Sequence, residues 1–132
     1  MHSTVKRIGR IAVGLIILLL VLLLVEVGTF VYNIKFRLRA IDSSVSPDGC
    51  YELAFDEVGS ADGLFGKSHA RLVLKSGKKT VTEAKFDIAN DGATLQESNW
   101  RVEWQADCVT VTIRGAEQKD AVKTLSFDGR TE

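Results

Sequence analysis

The sequence predicts a mainly β protein, in which a single N-terminal transmembrane helix precedes a small antiparallel β-sandwich or meander of about six strands. Three observations support this fold class. A long apolar run lies near the N-terminus, the rest of the chain alternates apolar and polar side chains, and turn-forming residues separate the alternating segments. The 132 residues leave room for one modest domain beyond the helix.

Charge is distributed unevenly along the chain. Overall, 17 basic and 17 acidic side chains give a formal net charge of zero. Residues 1–40 hold six basic side chains and one acidic one, whereas residues 41–132 hold eleven basic and sixteen acidic ones. This distribution excludes a nucleic-acid binder built on overall positive charge, and two cysteines are too few for a disulfide-dense mini-protein.

A transmembrane helix is predicted over residues 11–34. Ile11–Val25 contains fifteen residues without a polar side chain, and extending the run to Phe30 gives twenty residues, about one bilayer crossing. Tyr32 then lies where an interfacial aromatic belt is expected. A cleaved secretory signal needs small residues at alternate positions after the apolar run, and residues 26–32 do not provide them. We therefore predict an uncleaved signal anchor.

Basic residues flank the predicted span on both sides. They are Lys6, Arg7 and Arg10 before it and Lys35, Arg37 and Arg39 after it. Because the two counts are equal, the positive-inside rule does not decide the orientation. Translocation of a short tail with three cations and the amino terminus is unfavourable, and the two cysteines suit an oxidising exterior. We expect a single-pass plasma-membrane protein with residues 1–10 in the cytoplasm and the C-terminal domain outside it.

Glu26 is the one ionisable residue inside the predicted span. An intramembrane carboxyl group is costly, and by default it indicates a partner or a polar path. The alternative is a protonated or snorkelling side chain near the interface. Because Glu26 lies four residues before Phe30, the outer end of the twenty-residue apolar run, we favour this second interpretation.

The folded domain is predicted to occupy residues 46–132, after a basic juxtamembrane linker at 35–45 that contacts lipid headgroups. It begins at the turn Ser46–Gly49, where proline second and glycine fourth favour a tight turn. Six strands are predicted after this turn, because apolar side chains occupy alternate positions in each. They lie at 51–55, 70–74, 82–88, 100–104, 109–113 and 125–127. Short connections make antiparallel pairing of consecutive strands the expected topology.

The two cysteines, Cys50 and Cys108, are expected on the polar faces of the first and fifth predicted strands. If those strands are neighbours, a cross-strand disulfide can form on the outer face of the sheet. Such a bond would contribute about 4 kcal/mol by restricting the unfolded chain. The alternative is two unpaired thiols, and the sequence leaves both alternatives open.

Residues Gly59–Ser68 form a glycine-rich connection with an apolar tip at Leu64 and Phe65. Ala61–Ser68 also fits a loose phosphate-loop pattern, which requires a following helix. The alternation in Ala70–Lys75 indicates a strand instead, so no nucleotide binding is predicted. We interpret the tip as a contact for a protein or a membrane.

No catalytic, cofactor or metal site is predicted. His69 is the only histidine of the domain, and one histidine with two distant cysteines lacks the spacing of metal ligands. We therefore expect the protein not to be an enzyme. Trp100 and Trp104 share one strand phase and are expected to pack in the core, whereas an exposed pair would indicate carbohydrate or peptide contact.

Several turns and strands together form a recognisable layout. They are Ser46–Tyr51, the turn Asn90–Ala93, the tryptophan strand 100–104 and the strand Cys108–Gly115. This layout resembles small uncharacterised membrane-anchored proteins of Gram-positive bacteria, which have an N-terminal transmembrane helix and an SPDG-initiated β domain. The resemblance covers most of residues 46–127, and it implies a bacterial cell-envelope setting without a known activity.

Two functions are expected from these features. The first is a non-catalytic interaction or structural module that engages the bilayer and a membrane or envelope protein. The alternative is an extracytoplasmic ligand-binding or sensing accessory that uses the Gly59–Ser68 loop with Trp100 and Trp104. A pocket containing a tryptophan would favour the ligand-binding alternative, and a filled core with a flat surface would favour the first function.

Overall fold

A long N-terminal helix precedes the β domain. The computed structural model describes residues 1–132, and helix α1 runs from His2 to Lys35. None of its residues is buried, and its most apolar window has a mean hydropathy of 3.0, so it is long and apolar enough to cross a membrane. The helix ends at Phe36, where the backbone N–H groups of Phe36 and Arg37 both donate to the carbonyl of Tyr32.

The rest of the chain forms seven strands in two antiparallel sheets. The first sheet contains β1 (Leu38–Val45), β2 (Glu52–Val58), β3 (Ser68–Ser76) and β4 (Lys79–Ile88), and the second contains β5 (Trp100–Trp104), β6 (Cys108–Ile113) and β7 (Ala121–Ser126). Strand order follows the sequence in both sheets. The predicted fold class is therefore confirmed, with seven strands in place of about six.

Strand β1 occupies most of the segment that was expected to be a linker. Its residues pair with β2 from Leu38 opposite Val58 to Val45 opposite Glu52, with a bulge between Ala40 and Asp42. The prediction of a linker at 35–45 is therefore wrong for residues 38–45. Only two residues separate α1 from the first sheet.

The connections between strands lie at two opposite ends of the domain. We call one the helix-proximal end, because it is the end where α1 enters β1; it comprises residues 35–37, 59–67, 89–99 and 114–120. The helix-distal end comprises residues 46–51, 77–78, 105–107 and 127–129. At the distal end the predicted turn is present, because the Gly49 N–H donates to the carbonyl of Ser46.

The two sheets enclose one apolar core. Thirteen buried residues form it: Leu53, Phe55, Ala70, Leu72, Leu74, Ala84, Ile88, Leu95, Trp100, Val109, Val111, Ile113 and Leu125. Most belong to the apolar phases predicted from the sequence. Leu95 is an exception, since it comes from the connection between β4 and β5 that carries the chain from one sheet to the other.

Both tryptophans join the second sheet to β1. The indole N–H of Trp100 donates to the Asp42 carboxylate (2.9 Å), and that of Trp104 donates to the Ser44 hydroxyl (2.9 Å). The buried Trp100 ring also stacks on Phe55, with 5.0 Å between ring centroids. The tryptophans therefore hold the edges of the two sheets together.

The cysteines are two free thiols. Cys50 is exposed in the turn before β2, whereas Cys108 is half-buried at the start of β6 in the other sheet. The condition for a disulfide, neighbouring strands in one sheet, is not met. Of the two alternatives, unpaired thiols are the one observed.

Candidate interaction site at the helix-proximal end

A loop of the β domain caps the end of the long helix. This loop, residues 59–67, is called the glycine loop below. The Ser60 N–H donates to the carbonyl of Ile34 (2.8 Å), one of the terminal helix carbonyls that have no partner within a helix. The Gly59 N–H donates to the carbonyl of Arg37 (2.7 Å). Helix and domain are thus joined by backbone hydrogen bonds as well as by the chain.

Glycine is required at the contact between loop and helix. Gly59 has a φ of +68°, which is unfavourable for residues with a side chain. A Cβ atom at this position would also overlap the carbonyl oxygen of Ile34. The helix can approach the loop this closely only because Gly59 has no side chain.

The glycine loop is held in place on its other side as well. The Gly92 N–H donates to the carbonyl of Gly66 (3.1 Å), and the Ser68 hydroxyl donates to the carbonyl of Ala93 (3.1 Å). The tip of the loop lies between the attachments at Ser60 and Gly66. It carries Leu64 and Phe65, whose exposed fractions are 85% and 75%. The loop therefore presents two large apolar side chains on a fixed backbone.

His69, at the start of β3, holds the glycine loop through a contact with Asp62. We call His69 and its two carboxylate partners, Asp62 and Asp87, the His69 clasp. The Nε2 atom of His69 lies 2.9 Å from Asp62 in the loop, and its Nδ1 lies 2.7 Å from Asp87 on β4. The hydrogen bond with Asp62 has the larger effect and the one with Asp87 the next, and both raise the pKa of His69 above its usual 6.5. Both ring nitrogens donate only when the imidazole is protonated, so the complete clasp belongs to the charged form.

An ion pair between the half-exposed Arg39 and the buried Glu57 lies beneath the loop. Glu57 is 3% exposed, and its Oε2 accepts from Nε (2.9 Å) and Nη2 (2.6 Å) of Arg39. The same Nη2 donates to the carbonyl of Leu95 (2.7 Å). Arg39 therefore links β1, β2 and the connection between the sheets.

Three other cations around the loop have no acidic partner. Lys35, Arg37 and Lys67 take part in no ion pair, in contrast to Arg39. The helix-proximal end as a whole carries five basic and five acidic side chains, and its formal net charge is zero. Lys35 and Arg37 supply two of these basic side chains and offset the charge of the domain loops at this end, which hold three basic and five acidic side chains.

An open cleft of about 490 Å³ lies where the helix, the loop and the inter-sheet connection meet. Its lining is mainly polar and consists of Asn33, Arg37, Arg39, Glu57, Gly59, Ser60, Ala61, Gly63, Gly92 and Thr94. No tryptophan borders it. Trp104 instead borders a separate, smaller cleft of about 270 Å³ at the helix-distal end, together with Ser46, Pro47, Asp48, Gln105, Ala106 and Phe127. The tryptophan and the glycine loop therefore border different clefts.

The structure brings some of the predicted site residues together and leaves others apart. Arg37 and Arg39 lie at the same end of the domain as Leu64 and Phe65. Glu26 lies eight residues before Ile34, about 12 Å along the helix. Trp100 and Trp104 project from β5, and Lys6, Arg7 and Arg10 lie at the opposite end of α1.

The sequence interpretation missed three carboxylates of this site, Glu57, Asp62 and Asp87. Glu57 follows the first predicted strand, and its burial was not predicted. Its partner Arg39 was assigned to the linker, so there was no reason to pair the two. The His69 clasp depends on Asp87, which strand pairing places opposite His69, and on Asp62, which lies in the glycine loop. Asp87 lies on the polar phase of β4. The β3–β4 hairpin was therefore the one available signal, because its register pairs Asp87 with His69.

No group of three or more His, Cys, Asp or Glu side chains is arranged to hold a metal ion. Comparison with known proteins finds no match among family models, curated proteins or solved structures.

Proposed function

We propose that this chain is a single-pass membrane protein that displays a small β domain as a non-catalytic interaction or structural module. One observation carries the proposal: the apolar helix passes into the domain through two residues, and the glycine loop caps its last turn. Such a junction fixes the height and orientation of the domain at a membrane surface. Fixed placement suits a module that meets partners in or beside the same membrane.

The interior and the polar groups of the domain support the absence of catalysis. Thirteen apolar side chains fill the space between the sheets. Both nitrogens of His69 are occupied by carboxylates, so the histidine does not face a nucleophile. These features favour the interaction module over an enzyme.

The proposed location is the plasma membrane, with the N-terminus in the cytoplasm and the β domain outside. The energetic cost of translocating the basic tail supports this orientation. The cysteines no longer support it, because they form no disulfide. The cell-envelope setting follows from the resemblance of the sequence to anchored proteins of Gram-positive bacteria.

The exposed thiol of Cys50 provides a direct test of orientation. We expect a membrane-impermeant maleimide to label Cys50 in intact cells. Cys108 is the less suitable target, because desolvation and the neighbouring Asp107 raise the pKa of its thiol. Cys50→Ser is the matched control and should lose the label. Labelling of the wild-type chain only after lysis would reverse the proposed orientation.

A membrane or envelope protein is the proposed partner, and Glu26 offers a test inside the span. The residue is exposed on α1 and has no ion-pair partner in the chain. If it binds another helix, Glu26→Leu should abolish a crosslinked, co-purifying protein, whereas Val27→Leu should retain it. An unchanged partner with Glu26→Leu would assign the interaction to the β domain instead.

A ligand-binding accessory is the second candidate, and the polar cleft favours it. The cleft volume lies in the range of small-molecule sites, but its lining is more polar than is usual for them. A ligand in this cleft should protect Arg37 from guanidinium-specific modification. If Arg37 is modified equally with and without added cell extract, the ligand-binding candidate is wrong and the interaction module alone stands.

A further inference from the structure

We propose that Leu64 and Phe65 form a second membrane contact, inserted into the interface of the leaflet from which α1 emerges. The inference rests on the proposed function, because it requires the helix to span the bilayer. It adds a site and a ligand class: the tip of the glycine loop, and the boundary between lipid headgroups and acyl chains.

The height of the loop above the bilayer supports this contact. Ile34, which accepts the hydrogen bond from Ser60, lies four residues beyond Phe30. At 1.5 Å per residue this places the attachment of the loop about 6 Å beyond Phe30, the outer end of the twenty-residue apolar run. The headgroup layer on each side of a bilayer is about 5–7 Å thick. The loop is therefore attached to the helix at the level of the headgroups.

The side chains at the tip suit a membrane interface. Leu64 and Phe65 are the most exposed large apolar side chains of the β domain. Their backbone is held through Gly66 on one side and through the Asp62 clasp on the other. Because the loop is already ordered, its insertion requires little further loss of conformational freedom.

The charges around the tip are compatible with lipid phosphates. Lys35, Arg37 and Lys67 have no acidic partner and are available to phosphate groups. The helix-proximal end is neutral overall, so the negative charge of the domain does not repel this end from an anionic surface. Repulsion instead acts on the remainder of the domain and favours contact through the helix-proximal end.

The experiment uses the full-length chain, with Cys50→Ser and Cys108→Ser, in vesicles of phosphatidylcholine and phosphatidylglycerol. An environment-sensitive fluorophore is attached at Leu64→Cys, and in a second preparation at Phe65→Cys. Lipids with a spin label near the top of the acyl chain act as quenchers for the loop positions, and lipids with a spin label near the end of the acyl chain act as quenchers for position 18. Lys78→Cys, in an exposed turn at the helix-distal end, is the matched control, and Leu18→Cys reports on the span.

We expect blue-shifted and strongly quenched emission from positions 64 and 65, and water-like, unquenched emission from position 78. Water-like emission at 64 and 65 with quenching at 18 would overturn the loop contact and leave the membrane span intact. Absence of quenching at 18 would overturn the span and the loop contact together. In membranes of expressing cells, a photocrosslinker at 65 that captures protein and no lipid would also overturn the proposal.

Discussion

At the scale of single residues, two neighbouring arginines have different roles. Arg37 and Arg39 were both expected to contact headgroups. The structure leaves Arg37 without an ion pair, whereas Arg39 neutralises the buried carboxylate of Glu57. A buried charge without its partner is strongly destabilising, while a surface charge contributes little.

These roles predict different effects of alanine substitution. Arg39→Ala should lower the free energy of unfolding by about 2–3 kcal/mol. The substitution leaves the buried carboxylate of Glu57 without its cation and removes the guanidinium donor to the carbonyl of Leu95. Arg37→Ala, the matched control, should change the free energy of unfolding by less than about 0.5 kcal/mol. Chemical denaturation of the full chain in micelles measures both. Equal effects of the two substitutions would disprove the structural role of Arg39.

His69 makes the order of the glycine loop dependent on pH. Its pKa is raised in the folded protein, so the clasp is fully present below about pH 6.5, where both folded and unfolded states carry the proton. The stabilisation is lost as the pH rises through the raised pKa, because one carboxylate then loses its donor.

We therefore expect the loop to become more mobile between pH 6 and pH 9 in the wild-type chain. Backbone nitrogen relaxation at residues 61–66 measures this change. In His69→Gln the same residues should show no such dependence, because the titrating group is absent. A loop that is equally ordered at both pH values in the wild type would contradict the role of the clasp.

At the scale of elements, the tryptophans of β5 act as ties to β1. Trp100→Phe keeps an aromatic ring against Phe55 but removes a donor to the Asp42 carboxylate, so we expect a loss of about 2 kcal/mol. Trp104→Phe removes a bond to the neutral hydroxyl of Ser44 and should lose about 1 kcal/mol. Equilibrium unfolding followed by near-ultraviolet circular dichroism tests this order. A larger loss for Trp104→Phe would contradict it.

Strand β1 also shows where prediction from the sequence stops. The other strands were predicted because strict alternation revealed their buried faces, as for Leu53 and Phe55. In β1 a bulge near Ile41 breaks the period of two, and the inward side chains Asp42 and Ser44 are polar. Their burial is explained only by tryptophans about sixty positions away. A single sequence gives no signal for that pairing.

The same limit applies to the candidate site. The apolar tip at Leu64 and Phe65 and the basic flank at Arg37 were visible as local composition. Their common location was not, because it depends on the missed strand and on the hydrogen bond between Ser60 and Ile34. Local patterns therefore predicted the parts of the site, and long-range backbone contacts assembled them.

At the scale of the whole molecule, a two-residue connection and backbone hydrogen bonds join the helix to the β domain, and we expect the two to move as one rigid unit. A flexible linker of about eleven residues would allow the domain to sample many heights above a membrane. Two connecting residues and the Gly59 contact remove that freedom. The placement of the domain at a surface, and every interaction proposed for it, depends on this rigid junction.

The distance between helix and domain tests this claim most directly. Spin labels at Gly28→Cys and Lys78→Cys, in a chain with Cys50→Ser and Cys108→Ser, are measured by double electron–electron resonance in lipid vesicles. We predict one narrow distance distribution. Gly59→Ala should broaden it, because the added Cβ atom displaces the loop from Ile34. Gly77→Ala is the matched control and should leave the distribution narrow, because Gly77 also has a positive φ but lies in open space. A broad distribution in the parent chain, as expected for a flexible linker, would contradict the rigid junction.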